Sequence, residues 1–282
     1  MVENRPWLNV ATHLILIIGV AIVVFPVYIA FIASTQAPGT FYRSITPLLP
    51  GPSMIDNYWE MLTTGMSTAG APPLWLMLIN STWMAIIITV GKISISIISA
   101  YAIVYFKFPF RTFAFWIIFI TLMLPVEVRI IPTFAVVSDL GLLNSYVGLT
   151  LPLIASATAT FLFRQFFLTV PDELMEAARV DGAGPIKFFK DILLPLSRTN
   201  IAALSVIMFI YGWVQYLWPL LVTTDSRYYT VVMGIKRLAA RGDTEPQWNL
   251  IMAAVILAML PPVLVVIFMQ RLFVKGLVET EK

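Results

Sequence analysis

The chain contains no cysteine. Disulfides, thiolate metal sites and cysteine nucleophiles are therefore excluded. It contains one histidine, His13, so neither a paired-histidine metal site nor a zinc-protease motif can be built. Charge is scarce as well: Asp, Glu, Lys and Arg make up 12% of the 282 residues, against roughly 25% in an average soluble chain. The net charge of +3 is too small, and its cations too scattered, for a surface that binds nucleic acid. No glycine-rich loop ending in Lys-Ser or Lys-Thr is present, so nothing marks a nucleotide-phosphate cradle. What the sequence does have is apolar length, with 59% hydrophobic residues and a mean hydropathy of +0.88. Together these imply an all-α integral membrane protein.

A helix needs about 20 apolar residues to cross the hydrocarbon core. Six stretches qualify: residues 10–33, 75–104, 112–132, 146–164, 200–223 and 247–270. The first is not a cleaved leader, because Phe25-Pro26 and Tyr28 stand in place of a small-residue cleavage site. Six crossings put both termini on one side. If that side is the cytoplasm, the inner segments hold Arg5, Lys107, Arg111, Arg164, Arg179, Lys187, Lys190, Arg198, Arg271, Lys275 and Lys282. The outer segments then hold only Arg43, Arg129, Arg227, Lys236, Arg237 and Arg241, with Lys92 left inside the second span. Lys and Arg favour short cytoplasmic loops, so both termini are expected in the cytoplasm.

The loop between the fourth and fifth spans is longer than a plain turn and reads as two short helices. Pro171 suits a first helical turn, and Asp172 and Glu173 complement a helix N-terminus. Thr169 to Asp172 has the spacing of a loose capping box. Leu174, Ala177, Ala178 and Asp181 share one face by their spacing, and Gly182 stands where a helix-terminating glycine is expected. Gly184-Pro185 restarts a helix whose apolar stripe is Ile186, Phe189 and Ile192-Leu193, ended by Pro195. Periodicity alone leaves two readings open, an ordinary connector and a docking knob. For the knob, paired alanines admit a close partner, Glu176 offers a charge, and the second helix ties the knob to the bundle.

The order Glu176-Ala177-Ala178, Gly182, Ile192, Leu194-Pro195 resembles the EAA motif of permeases of ATP-binding-cassette importers. The position of the loop, two spans before the C-terminus, fits the same family. The six-span plan resembles the smaller permease of the maltose-type, carbohydrate-uptake group. Within that group the whole chain is similar to the second permease subunits of sn-glycerol-3-phosphate importers, through residues 3–8, 121–132, 148–167, 211–221 and 270–282.

The resemblance implies a type I importer permease fold in one transmembrane domain, with residues 169–198 as the cytoplasmic coupling loop. Glu176, Ala177, Ala178, Gly182, Ile192, Leu194 and Pro195, with Asp181 on the same face, would couple the chain to an ATPase. The implied partners are a second, different permease, two copies of a cytoplasmic ATPase, an extracytoplasmic solute-binding protein and the lipid bilayer. ATP would bind the ATPase, leaving this chain without a cofactor and without catalysis of its own. The implied cargo is sn-glycerol 3-phosphate, with glycerophosphodiesters as a related class, moved inward across a bacterial cytoplasmic membrane. The same architecture importing a sugar or polyol stays open.

Several residues within the spans admit two readings each. Lys92 is an anion contact on the pathway or a structural lysine held by carbonyls or a carboxylate. Glu127 and Arg129 pair structurally or line the outer mouth, where Arg129 suits a phosphate. Tyr211, Trp213, Gln215, Tyr216 and Trp218 crowd the fifth span, as an interfacial aromatic belt or as pathway lining on a helix bent near Gly212 and Pro219. Ser94, Ser96 and Ser99 in the second span, with Ser156, Thr158 and Thr160 in the fourth, read as small residues that let helices approach.

Overall fold

The computed structural model describes residues 6–40, 47–65, 71–121, 126–240 and 246–279. The side chains of Pro6, Val126, Glu127 and residues 271–279 lie outside that description. The described residues are helical, with no strand among them. They divide into two compact units. One comprises Met1–Leu76 with Gly234–Leu260, the other Met77–Met233 with Pro261–Lys282.

In the first unit, α1 (Pro6–Ser34) is apolar on every side and carries Pro26 in its interior. Its length suits a membrane crossing, and only 6% of its most apolar stretch is buried. Its C-terminal end is stitched down by polar groups. Gly51 N–H donates to Thr35 Oγ1 at 2.8 Å, and Gln36 Nε2 donates to the Leu49 carbonyl at 2.9 Å. The next helix, α2 (Met54–Thr63), buries Asn57. Asn57 Nδ2 donates to the carbonyls of Ser34 and Gln36, both at 2.8 Å, and its Oδ1 accepts from Asn249 Nδ2 at 2.8 Å. A buried amide is tolerated because its hydrogen-bonding capacity is used.

Chain order continues with α3 (Leu74–Tyr105), α4 (Arg111–Ile120), α5 (Val126–Asp139), α6 (Tyr146–Leu153), α7 (Ala157–Phe167), α8 (Asp172–Val180), α9 (Pro185–Leu196), α10 (Arg198–Trp213), α11 (Leu217–Val222), α12 (Val231–Ala239) and α13 (Trp248–Glu279). By length and composition α1, α3 and the Trp248–Gln270 part of α13 can each cross a membrane. Two helix pairs pass the same test with a bend, α6 with α7 at 45° and α9 with α10 at 72°.

The third expected span is helical as α4 on one side of residues 122–125 and α5 on the other, and α5 runs past residue 132 to Asp139. The stretch read as the fourth span is broken. Pro152 lies in a tight turn at the end of α6, and Ser156 restarts the chain by accepting the Ala159 N–H on its side chain at 3.2 Å. The fifth stretch is broken at residues 214–216. Pro219 is the physical reason: it has no N–H for the Gln215 carbonyl, and its ring opposes a helical turn there.

In the second unit α3 turns one face inward. Met77, Ala85, Ile88 and Ala100 on it are fully buried. So are the polar residues Asn80, Ser81, Lys92 and Ser96, while Trp83, Ile87, Val90 and Ile98 face outward. Ser96 Oγ donates to the Ser156 carbonyl at 3.1 Å, consistent with close small-residue packing.

Candidate functional site

The loop 169–198 carries the first candidate site. Helix α8 begins after Pro171, with Asp172 and Glu173 in its first turn and Arg179 in its last, charges placed to suit the helix dipole. The capping box expected at Thr169 does not form. Its hydroxyl donates instead to the Phe166 carbonyl at 2.7 Å, because Pro171 occupies the cap position. The C-terminus follows the expectation closely. Gly182 has φ +72°, its N–H reaches the Arg179 carbonyl at 3.0 Å, and the Ala183 N–H reaches the Ala178 carbonyl at 2.8 Å. This is the left-handed glycine cap that closes the last carbonyls of a helix.

The two alanines of the motif face opposite ways. Ala178 is buried, packed in a cluster with Phe163, Phe167, Phe188 and Leu193, whereas Glu176, Ala177, Asp181 and Gly182 are exposed. Helix α9 differs from its expected face. Ile186 is 82% exposed, and Phe188 is buried in its place. A π turn over Phe189–Leu193 widens the helix, so residues five apart, Phe188 and Leu193, point the same way. Ile192 and Leu194 are half-buried against that cluster and Pro195 is exposed.

Two tyrosines four apart at the end of α3 hold α9. Tyr101 donates to the Pro185 carbonyl at 2.9 Å and its ring lies 4.9 Å from that of Phe189; the Tyr105 ring lies 5.3 Å from that of Phe188. Sequence reasoning missed both tyrosines, although their spacing on one helical face was a usable signal.

The second candidate site lies where α10 gives way to α11. Lys92 is 6% exposed and its Nζ stands 3.7 Å from the centroid of the Tyr211 ring. A cation over an aromatic face is attracted by the ring's negative surface. Gln215 Nε2 donates to the Tyr211 carbonyl at 3.1 Å, in place of the helical N–H partner that the break disturbs. Gly212 brings the backbones together, since a Cβ there would come within 2.9 Å of Ala85 Cα. Arg129 on α5 is exposed and close enough for its charge to act on Lys92.

The structure thus gathers Lys92, Tyr211 and Gln215 at the break, with Arg129 in electrostatic range. It does not gather Trp213, which is buried against Phe209 with ring centroids 5.8 Å apart. Tyr216 is exposed at the start of α11. Glu127 lies on the backbone of α5, and its side chain falls outside the described residues.

Residues 92–279 match the family of binding-protein-dependent transport system inner membrane components. Over all 282 residues of both chains, the protein is 58% identical to an Agrobacterium fabrum sn-glycerol-3-phosphate transport system permease protein, UgpE. Over the same full length it is 59% identical to the Rhizobium meliloti UgpE and 56% to that of Escherichia coli K12. The chain belongs to this permease family. It is therefore a multi-pass inner-membrane transport subunit, a component of a larger transport system. A bacterial ABC transporter involved in importing the acidic polysaccharide alginate is 18% identical, with a TM-score of 0.80 over 96% of this chain and 98% of that one. At that identity the likeness concerns the fold, which is that of an ABC importer permease.

Proposed function

We propose that this permease moves sn-glycerol 3-phosphate inward, with glycerophosphodiesters as a related cargo. In this reading it has six spans and both termini in the cytoplasm. The third span is α4 with α5 and the fifth is α10 with α11. A second, different permease completes the pathway, two copies of a separate ATPase bind the ATP, and a solute-binding protein delivers cargo from outside. This chain holds no cofactor. The observation that carries the cargo is full-length identity to proteins of that named activity.

In this reading the exposed face of α8, with Glu176, Ala177, Asp181 and Gly182, is the contact with the ATPase. Its buried face, Ala178, is the link to the bundle, relayed through α9 by Ile192, Leu194 and Pro195. Closure of the ATPases moves α8 and α9 as a rigid piece and turns the pathway from inward-open to outward-open. Lys92 and Arg129 supply positive charge for a phosphate beside the break at Gln215, and Arg129 can give it two parallel hydrogen bonds. Trp213 and Tyr216 support the broken helix around that contact.

The test is reconstitution of the assembled transporter in proteoliposomes with its binding protein. Uptake of sn-glycerol 3-phosphate that requires ATP, and that glycerol or maltose does not compete away, is the expected result. Uptake of a neutral sugar in preference to the phosphate ester would overturn the cargo assignment.

A further inference from the structure

At the end of α3 the apolar helix gives way to the segment Phe106-Lys107-Phe108-Pro109-Phe110. Aromatic and basic residues alternating at a span's end mark the level of lipid headgroups. Beside this turn lies a cavity of about 110 Å³, lined among others by Arg111, Thr112, Phe115, Arg164 and Leu168. A single water needs roughly 10–15 Å³ on this measure, so the cavity has room for a tetrahedral oxyanion. The Arg164 guanidinium lies 4.1 Å from the centroid of the Phe115 ring, and its Nε is buried without a hydrogen-bond partner. Phe115 is itself buried, so the guanidinium packs on a ring held in the core. A buried charged donor without an acceptor is costly, and native structures supply one.

A second cavity, of about 520 Å³, shares Arg111 with the first and adds Lys107, Arg179 and Asp172. Four cations and one carboxylate thus border the two cavities. Arg179 belongs to α8, so the cationic lining joins the ends of α3, α4 and α7 to the coupling loop. Leu168 in the lining is 53% exposed, and the chain neighbours of Arg111 include two uncovered aromatics, Phe110 at 80% and Phe113 at 63% exposed. Anionic headgroup over arginine, with acyl chain over exposed aromatic carbon, is the chemistry this surface fits.

We propose that Arg111 and Arg164 bind one phosphate group at this pocket, at headgroup depth. The proposal does not depend on the pathway or coupling residues above. Its test uses the assembled transporter in detergent with two probes, phosphatidylglycerol added back after delipidation and radiolabelled inorganic phosphate. Binding is measured in wild type and in Arg111→Gln, Arg164→Gln and Arg164→Lys.

Each Gln variant is expected to weaken binding of the effective probe about fivefold, as loss of one basic contact near a membrane surface does, with Arg164→Lys between Gln and wild type. Phosphatidylglycerol binding that phosphatidylcholine does not reproduce makes the group a lipid phosphodiester. Inorganic phosphate binding with the same sensitivity makes it a free anion. Arg111 is exposed, so its variant keeps the test decisive if Arg164→Gln fails to assemble. Equal binding of both probes in wild type and Arg111→Gln, or no binding of either, overturns the proposal.

Discussion

Helices α1 and α3 have nearly the same length, 29 and 32 residues, and both are apolar enough to cross a membrane. Only 6% of the most apolar stretch of α1 is buried, against 33% in α3. Both pass as spans, although α1 is the more apolar; the destination of their polar groups tells them apart. In the first half of α1, Thr12 donates to its own Leu8 carbonyl at 2.9 Å, and His13 meets its own Asn9 carbonyl at 2.6 Å. In α3, Asn80 Nδ2 donates to the Arg227 and Tyr229 carbonyls at 2.8 and 3.0 Å, and Asn80 Oδ1 accepts from Tyr146 at 2.7 Å. Ser81 Oγ accepts from the Val231 N–H at 2.8 Å. Lipid is as apolar as leucine, so polar and small residues mark the inward face of a membrane helix. On α3, Ile86, Ile87, Ile95 and Ile98 point out, while Asn80, Ser81, Lys92 and Ser96 point in.

That contrast can be broken most strongly with matched glycines. Gly212→Leu places carbon against the Ala85 backbone and is expected to destabilise the transporter by about 3 kcal/mol. Gly19→Leu in α1, where nothing lies within 4 Å of a new Cβ, is expected to be near neutral. Thermal unfolding followed by size exclusion measures both. Next in size, Asn80→Ala removes the three hydrogen bonds of a buried amide and is expected to cost about 2 kcal/mol. Thr12→Ala in α1 is the matched control, with no expected change in the same assay.

Lys92→Met removes the buried cation while keeping its volume. Uptake is expected to fall about tenfold, which is about 1.4 kcal/mol, while the yield of assembled complex stays unchanged. Equal losses in both would return Lys92 to a structural role. The smallest effect concerns Asp225, whose carboxylate accepts from Arg227 Nε and Nη2 at 2.9 and 2.6 Å. Those hydrogen bonds hold the Asp225 carboxyl below its ordinary range and raise Arg227 above its own. A depressed acid stabilises above its ordinary range and loses that contribution as pH falls through its folded value. Limited proteolysis near residues 225–228 is therefore expected to separate wild type from Asp225→Asn slightly at neutral pH and not at all in acid. Arg227 is exposed and water screens the pair, which keeps the effect small.

The coupling loop was the most legible part of the sequence. Helix α8, its acidic first turn and Gly182 as its left-handed cap follow from local chemistry in a stretch where polar residues contrast with apolar ones. The faces were harder to read. Ala178 packs inward while its neighbour Ala177 does not, and the π turn after Phe188 moved Ile186 outward against the simple period.

Within the apolar stretches periodicity gave almost no facing information, since both faces are greasy. The stretch 200–223 looked continuous, yet Pro219 breaks it at residues 214–216, where the Gln215 amide turns back onto the carbonyl of Tyr211, whose ring meets Lys92. Trp213, grouped with them in sequence, instead packs on Phe209 because it lies two residues round the helix from Tyr211. Arg164 gave no sequence signal beyond its place in the basic inner loops. Its buried, unpartnered Nε depends on Phe115, 49 residues earlier in the chain.

The central claim is that the exposed face of α8 transmits ATP hydrolysis to the pathway. The direct measurement follows uptake and ATP hydrolysis together in proteoliposomes holding the assembled transporter with Glu176→Lys in this chain. The account predicts a transporter that assembles and hydrolyses ATP but no longer couples hydrolysis to uptake, so that binding protein and cargo cease to stimulate it. Uptake and stimulated hydrolysis both at the wild-type rate would contradict it.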